Sequence, residues 1–433
     1  VNTTGSDQYH ALLARQDAMR LRQRLLSPAR LPSPAAVPAR SAGTQGAGYS
    51  YDGRADQHTI NRYLPLVTPF SDLIAYLYEA MFERHPYLRR LFPDSMEFQR
   101  AHLERALWYL IEHLDRPDEV AAFCARLGRD HRKLGVRPVH YEVFEAALAE
   151  ALRRSAGERW TDDLEQAWLR MLRFAVAAMV EGADEALAEP AYWNGTVTGH
   201  QLRRPDLAVL RVRTAEPYPY RAGQYARLQS PRLPHTWRPY SVACAPRPDG
   251  ELEFHVRYTG PGGVSEALVA HTRVGDPLRL GPAQGSMTLD DGLTRDVLVV
   301  AGGTGWATAK ALLEELAVRR PPGRSTHLFL GARTFDDLYD TAALTELEKG
   351  HPWLRVVPVI GGGPGAAEGG SVAEAVARHG DWAGHLAYVS GPPAMVTATV
   401  RQLTAMNLPA HRIRHDPVGG TVPLPTHPAT TDR

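Results

Sequence analysis

A chain of three parts is predicted: an all-α domain, then an antiparallel β-barrel, then an α/β domain built on a parallel sheet. Three observations predict it. Between Asp56 and about Pro190, apolar residues recur at helical spacing. After Tyr192-Trp193 they alternate with polar ones at period two. Beyond about residue 293 they form short, solidly apolar runs separated by helical stretches, the mark of strands buried on both faces. A length of 433 residues also exceeds what a single core organises.

Composition narrows the class. With 44% apolar and 22% charged residues the chain has the make-up of a soluble globular protein. A formal net charge of +1 implies no polyanionic partner, so no nucleic acid is expected. Only three of the 49 basic residues are lysines (Lys133, Lys310 and Lys349), which reads as a high-GC coding bias before it reads as phosphate recognition. Two cysteines, Cys124 and Cys244, support neither a disulfide framework nor a four-cysteine iron–sulfur cluster. No apolar run approaches membrane-spanning length and no signal-peptide core is present, so the expectation is a cytoplasmic protein that does not engage a membrane.

Residues 1–55 begin with an amphipathic pattern over Ala11–Leu26, followed by Pro28, Pro32, Pro34 and Pro38 and a Gly-rich stretch. Seven arginines against three aspartates make this a basic, disordered extension. It reads as a solvated tail, with a transit peptide or a docking arm for a protein partner as the alternatives. From 56 to 190 the stripes are Leu73, Leu77 and Met81 with Tyr78 and Phe82 beside them, then Gln99, Leu103, Leu107 and Leu110, then Val120, Cys124, Leu127 and His131. Asp115 ahead of Pro117 signals one helix start, Pro138 another, and Thr161 with Asp162 and Asp163 a third. Gly135 stops the helix that carries His131. Five to seven helices follow.

In the next segment, 194–292, Leu252–Arg257 alternates strictly and Pro- and Gly-rich turns separate several such runs, as in a small barrel. Its Arg238-Pro239-Tyr240-Ser241 stretch suits a flavin. A tyrosine offers a flat apolar face, an arginine a planar fork for pyrophosphate, and a serine hydroxyl a partner for a ring nitrogen. Over 293–420 the buried runs are Val297–Ala301, Leu328–Leu330, Val356–Ile360 and Leu386–Val389. The first leads through Gly302-Gly303-Thr304-Gly305 into a helix, a turn that lets backbone N–H groups and a helix N-terminus approach a pyrophosphate. Ser390-Gly391-Pro392 ends the last run at the same sheet edge, where open α/β sheets bind ligands. Residues 421–433 form a Pro/Thr tail without a core-forming pattern.

Residues 194–420 resemble the ferredoxin-NADP⁺ reductase superfamily, a flavin barrel followed by a nicotinamide-nucleotide domain. The likeness is carried by Tyr220-Arg221-Ala222-Gly223-Gln224-Tyr225, by Arg238, Tyr240 and Ser241, by Gly262-Gly263-Val264-Ser265 for the flavin phosphates, and by Gly302 to Gly305. Three positions depart from it. Thr308 stands where the pattern has proline, Ser390 where many members carry cysteine near the nicotinamide, and Val418 where an aromatic usually covers the flavin. The sequence leaves NADH and NADPH both open, since Arg333 could meet a ribose phosphate or pair with Asp336.

Residues 56–190 resemble the globin domain of bacterial flavohemoglobins, through Tyr78 to Phe82, His85 to Phe92, Gln99 with Leu103, and Asp130 to Tyr141. The resemblance implies a haem iron ligated by His131, a distal pair Tyr78 and Gln99, Leu103 over the iron and Phe92 against the haem face. It also implies that Tyr141 and Glu185 orient His131, the Glu185 assignment resting on helix register. Haem b, FAD and NAD(P)H are then the cofactors, and O₂ and nitric oxide the small-molecule substrates of a nitric oxide dioxygenase. Read without that likeness, Tyr78 is a core tyrosine with a backbone partner, Gln99 a surface amide and His131 a hydrogen-bonded core histidine. Two other functions stay open: a flavin reductase relaying electrons to a separate oxygenase, and a haem gas sensor.

Overall fold

The computed structural model describes residues 51, 53–320, 322–361 and 371–416. The amphipathic stretch Ala11–Leu26, Val418 and the Pro/Thr tail lie outside the described residues. Two compact units divide the chain, one running to Ala191 and the other starting at Tyr192.

The first unit is helical: α1 Gly53–Tyr63, α2 Phe70–Arg84, α3 Glu97–His113, α4 Pro117–Arg132, α5 Pro138–Ala156 and α6 Asp162–Glu185. Burial follows the expected stripes. Helix α2 buries Phe70, Leu73, Ile74, Leu77, Tyr78 and Met81, and α6 buries Leu164, Trp168, Leu172 and Val176. Thr161 caps α6 by accepting from Leu164 N at 3.4 Å. Helix α4 starts at Pro117, as expected; its N-cap is Arg116, without a side-chain cap, and Asp115 pairs with Arg116. Gly135, at φ +74°, turns the chain out of α4.

Helices α4 and α6 cross very closely at Gly128 and Gly182. A Cβ on Gly128 would fall 1.9 Å from the Met179 carbonyl oxygen, and one on Gly182 would fall 2.3 Å from that of Ala125. No other residue permits this approach. The crossing lies one turn before His131, so it helps fix where that imidazole sits.

The second unit opens with a six-stranded antiparallel sheet. Its strands are β1 Trp193–Arg204, β2 Leu207–Thr214, β3 Tyr225–Gln229, β4 Arg238–Ser241, β5 Glu251–Arg257 and β6 Pro277–Leu280, in the order β4-β3-β6-β1-β2-β5. The two edge strands come together through a bridge between Val242 and Phe254, and Ala243 N donates to Glu253 O at 2.7 Å. The expected barrel is therefore a curled sheet whose edges touch at one end. A short helix, α7 Val264–Ala270, follows β5.

A five-stranded parallel sheet completes the unit, ordered β11-β10-β7-β8-β9. Its strands are β7 Val297–Gly302, β8 Thr326–Ala332, β9 Leu354–Ile360, β10 Leu386–Ser390 and β11 Ile413–Arg414. Alternate residues of β7 feed opposite layers. Val299 and Ala301 pack towards α8 Trp306–Arg319 and α9 Thr341–Gly350, while Leu298 and Val300 pack towards α10 Val372–His379 and α11 Pro393–Ala405. The chain runs outward from β7 to β9 and returns to the other side of β7 with β10. The order reverses there, opening a crevice at the strands' carboxyl ends.

Candidate functional site

Two sites are built, one in each unit. In the helical unit, His131 lies in the last turn of α4 with Nδ1 2.8 Å from Leu127 O, the carbonyl one turn back. A carbonyl can only accept, so Nδ1 carries the hydrogen and Nε2 keeps a free lone pair. Burial lowers the imidazole's pKa below its ordinary value, against the Leu127 bond, which raises it. Burial favours the neutral ring and the Leu127 bond fixes its tautomer, the two features of the ligand form.

Tyr78 is 6% exposed, and its ring meets Phe92 edge-on at 5.7 Å and stacks on Phe82 at 5.8 Å. Burial pushes its phenol up to about 12, with a small opposing pull from Arg100. Gln99 and Leu103 follow on α3, one turn apart. Gln99 Oε1 is buried with no hydrogen-bond partner among the described residues. Such an orphan atom is costly in a sealed core and expected beside a polar ligand. Phe82, Leu91, Phe92, Leu103, Leu127 and Phe144 pack on the core yet stay only partly buried, as side chains lining a hollow do. Partly buried apolar side chains, an imidazole with a free nitrogen and two polar groups are the residue types a haem requires.

Glu185 is a correction. Its carboxylate is exposed and pairs with Arg129 at 2.9 Å. Arg129 and His131 are two residues apart, so they point to nearly opposite sides of α4, and a group facing one does not reach the other. The Leu127 carbonyl holds His131 in its place. Tyr141 is buried by its neighbours, and that burial, with the nearby Cys124 sulfur, raises its phenol pKa; no Tyr141–Glu185 hydrogen bond forms.

In the second unit β4 and β3 pair so that Tyr225 faces Ser241 and Ala226 faces Tyr240. Tyr240 packs on the sheet's core, and burial raises its phenol pKa. Arg238 Nη1 donates to the Trp237 carbonyl at 3.0 Å. Tyr225 donates through its hydroxyl to Gln284 at 3.2 Å. Ser241 Oγ receives a hydrogen bond from Thr308 at 2.8 Å. At the flavin-phosphate loop Ser265 Oγ accepts from Thr259 N at 3.1 Å. Gly262 N donates to the Glu266 carboxylate at 2.6 Å, so an anion of the chain itself takes that donor, and Gly263 caps α7.

Asp416, which the sequence reading missed, lies near Tyr225 and Gly285. Its Oδ1 is buried without a hydrogen-bond partner and lies 3.1 Å from where a Cβ on Gly285 would stand, beside the Tyr225 ring. Burial raises its carboxyl to about 6, against the Ser286 backbone and His415, which lower it. A single aspartate just beyond the last strand carries no periodic signal that could have marked it.

The nucleotide loops nest against each other. A Cβ on Gly305 would be 2.3 Å from Ser390 O, and one on Gly302 would meet Met395 and Pro392. Thr304 begins the turn into α8, and Gly391 lies in the positive-φ region. Gly302, Gly303, Gly331, Ser371, Pro392 and Arg257 line a cleft of about 260 Å³. Arg257 was also missed, although the alternation of β5 ends on it. Its Nε and Nη2 are buried without hydrogen bonds, and its nearest carboxylates, Asp206 and Asp337, are 3.5 and 3.9 Å away. A partly exposed guanidinium, loosely paired with two carboxylates and next to Gly303, suits a dinucleotide's phosphates. Arg333 also lines this cleft; it is 78% exposed and pairs with Asp337 at 3.3 Å rather than with Asp336.

Comparison with known proteins agrees with this division. Residues 75–179 match the globin family, 195–288 the oxidoreductase FAD-binding domain and 299–401 the oxidoreductase NAD-binding domain. The chain is 36% identical over 226 residues to the ferredoxin–NAD(P)⁺ reductase component of a naphthalene 1,2-dioxygenase system from Pseudomonas putida, covering 51% of this chain and 68% of that one. It is 30% identical over 235 residues to the reductase component of a phenol 2-monooxygenase from a Pseudomonas species, covering 53% and 66%. The chain thus spans about two thirds of the length of these curated relatives. A flavohemoglobin structure from Malassezia yamatoensis superposes with a TM-score of 0.67 at 18% identity, over 83% of this chain and 98% of that one, and shares the fold. No helix among the described residues is long and apolar enough to cross a membrane. The chain belongs to the FAD- and NAD(P)-dependent oxidoreductases of the ferredoxin–NAD(P)⁺ reductase family, and carries that module behind a globin domain in the flavohemoglobin order.

Proposed function

We propose that the chain is a nitric oxide dioxygenase, oxidising nitric oxide to nitrate with O₂ and with electrons from NAD(P)H. One observation carries this reading. A histidine with its Nε2 free, a buried protonated phenol and a buried amide oxygen without a partner occur in the same chain as a nucleotide-to-flavin module. When bound, FAD supplies the exchange between a two-electron hydride and single electrons, and haem b supplies the iron at which O₂ meets nitric oxide.

The chain's residues do the rest. His131 offers Nε2 to the iron because Leu127 occupies Nδ1. A neutral carbonyl draws less proton density from the ring than a carboxylate does, so His131 donates less charge to the metal than the Glu185 arrangement would have given. Tyr78 stays a phenol at neutral pH and lends its hydrogen to a ligand; Gln99 Oε1 or its amide hydrogens complete the contact. Phe82, Phe92 and Leu103 exclude water. In the second unit Tyr240 and Tyr225 hold the flavin's faces, Arg238 its pyrophosphate and Ser241 a ring nitrogen. Arg257 and the Gly302–Gly305 and Ser390–Pro392 turns hold the nicotinamide nucleotide.

The test is nitric oxide consumption by the purified chain, supplied with haem, FAD and NADH and no other protein. Nitrate formed in step with NADH oxidised supports the reading. A second reading has its own observation: oxygenase-system reductases resemble the flavin module at up to 36% identity. On that reading electrons leave for a partner oxygenase, and nitric oxide persists in the same assay while an external acceptor is reduced.

A further inference from the structure

Thr308 lies in the first turn of α8, where the reductase pattern has proline. It is 1% exposed, and its hydroxyl donates to Ser241 Oγ at 2.8 Å. Proline has no hydroxyl, so this contact comes from the chain's own departure from the pattern. Two further bonds tie the same helix to the residues after β4. Lys310 Nζ donates to Ala243 O at 3.1 Å, and Ala245 N donates to Glu314 Oε2 at 3.0 Å. Lys310 is in turn held by Glu314 at 2.6 Å and Glu253 at 3.0 Å. Alternate residues 241, 243 and 245 are therefore anchored to α8. Any slide of the helix along β4 breaks buried, charge-assisted bonds, and the Thr308–Ser241 separation is fixed with them.

A hydroxyl carries one hydrogen and two lone pairs. Since Thr308 gives its hydrogen to Ser241 Oγ, the hydrogen of Ser241 points elsewhere, and Ser241 stays partly accessible. We propose that Thr308 is a positioning residue, which sets Ser241 as a hydrogen-bond donor towards the flavin nitrogen that receives the hydride. This rests on the flavin reading of β4. The transfer moves two electrons and one proton together from the nicotinamide carbon to that nitrogen, and both hydroxyls keep their protons throughout.

Thr308→Val keeps the branched shape and removes the hydroxyl, while Thr308→Ser keeps the hydroxyl. FAD affinity of each full-length chain is measured by fluorescence titration, the flavin absorption band is recorded, and reduction by NADH is followed anaerobically by stopped flow. The valine variant is expected to bind FAD within about twofold of the parent, to show a displaced band, and to be reduced about five- to tenfold more slowly at unchanged KM, the effect of one neutral hydrogen bond. The serine variant is expected to recover band and rate. Thr308→Ala gives the same loss should valine disturb the packing of α8. A valine or alanine variant with parental band and rate overturns the proposal, as does a serine variant as slow as valine. A parent chain that binds no FAD overturns the flavin reading and this proposal with it, and the titration alone distinguishes that outcome.

Discussion

Tyr78 is held near pKa 12 by burial, so at neutral pH its phenol remains a donor with no described protein acceptor. Tyr78→Phe keeps the ring contacts with Phe82 and Phe92 and removes only that hydrogen. O₂ should leave the haem about one to two decades faster, equivalent to about 1.5–3 kcal/mol, while haem content stays constant; laser-flash or stopped-flow dissociation measures it. Asp416 provides a pH-dependent case. Burial raises its carboxyl from 3.8 to about 6, so the folded chain favours the protonated form. Its stabilising contribution is complete below pH 4 and fades as pH rises through about 6. Asp416→Asn removes that loss, and should raise stability at pH 7 relative to pH 4 by about 1–2 kcal/mol after allowance for partial exposure, read from denaturation at the two pH values. At this scale the sequence offers candidates wherever a residue type and a motif coincide, as at His131, Tyr240 and Gly302, and the structure gives each a definite place. Glu185 rested on helix register alone, and its carboxylate lies against Arg129, which is about 200° round α4 from His131. Leu127 could not have been found, since any residue supplies a carbonyl.

Among the elements, the α4–α6 crossing positions His131, the proposed proximal ligand. Gly128→Ala places a methyl 1.9 Å from the Met179 carbonyl, where backbone rather than a flexible side-chain tip must yield. We expect about 2–4 kcal/mol of destabilisation of the helical unit and a fall in haem occupancy, with FAD binding retained; calorimetry and cofactor stoichiometry report these separately. The junction of α8 with the antiparallel sheet depends on Glu253. Burial alone would raise its carboxyl, but the His255 hydrogen bond and the Lys310 charge win and hold it at about 2. Lys310→Met leaves that carboxylate buried beside one fewer cation, and should destabilise the second unit by about 3–5 kcal/mol in urea denaturation at pH 7. Helical and strand periods were readable because each stripe faces one core. The ladder from Thr308, Lys310 and Glu314 to residues 241–245 was not readable, because it joins segments about 70 positions apart that no local pattern relates.

For the molecule as a whole, the proposed function assigns each unit a half-reaction: the second unit would collect electrons from a nucleotide, and the first would present His131 and Tyr78 to a haem. That the halves share one chain was legible from motif order alone. Which substrate the iron oxidises was legible only through resemblance, since Tyr78 and Gln99 would serve O₂ storage as well as turnover. His131→Ala separates the halves: NADH should still reduce FAD and an artificial acceptor at the parental rate, while haem occupancy and nitric oxide removal are lost. The most direct measurement follows the flavin and haem absorption bands of the intact chain under anaerobic conditions as NADH is added, and then on admission of O₂ with nitric oxide. Flavin reduction followed by haem reduction, then rapid return of both with nitrate formed in step with NADH consumed, is the predicted result. A flavin that is reduced while the haem stays oxidised, with nitric oxide untouched, would contradict it.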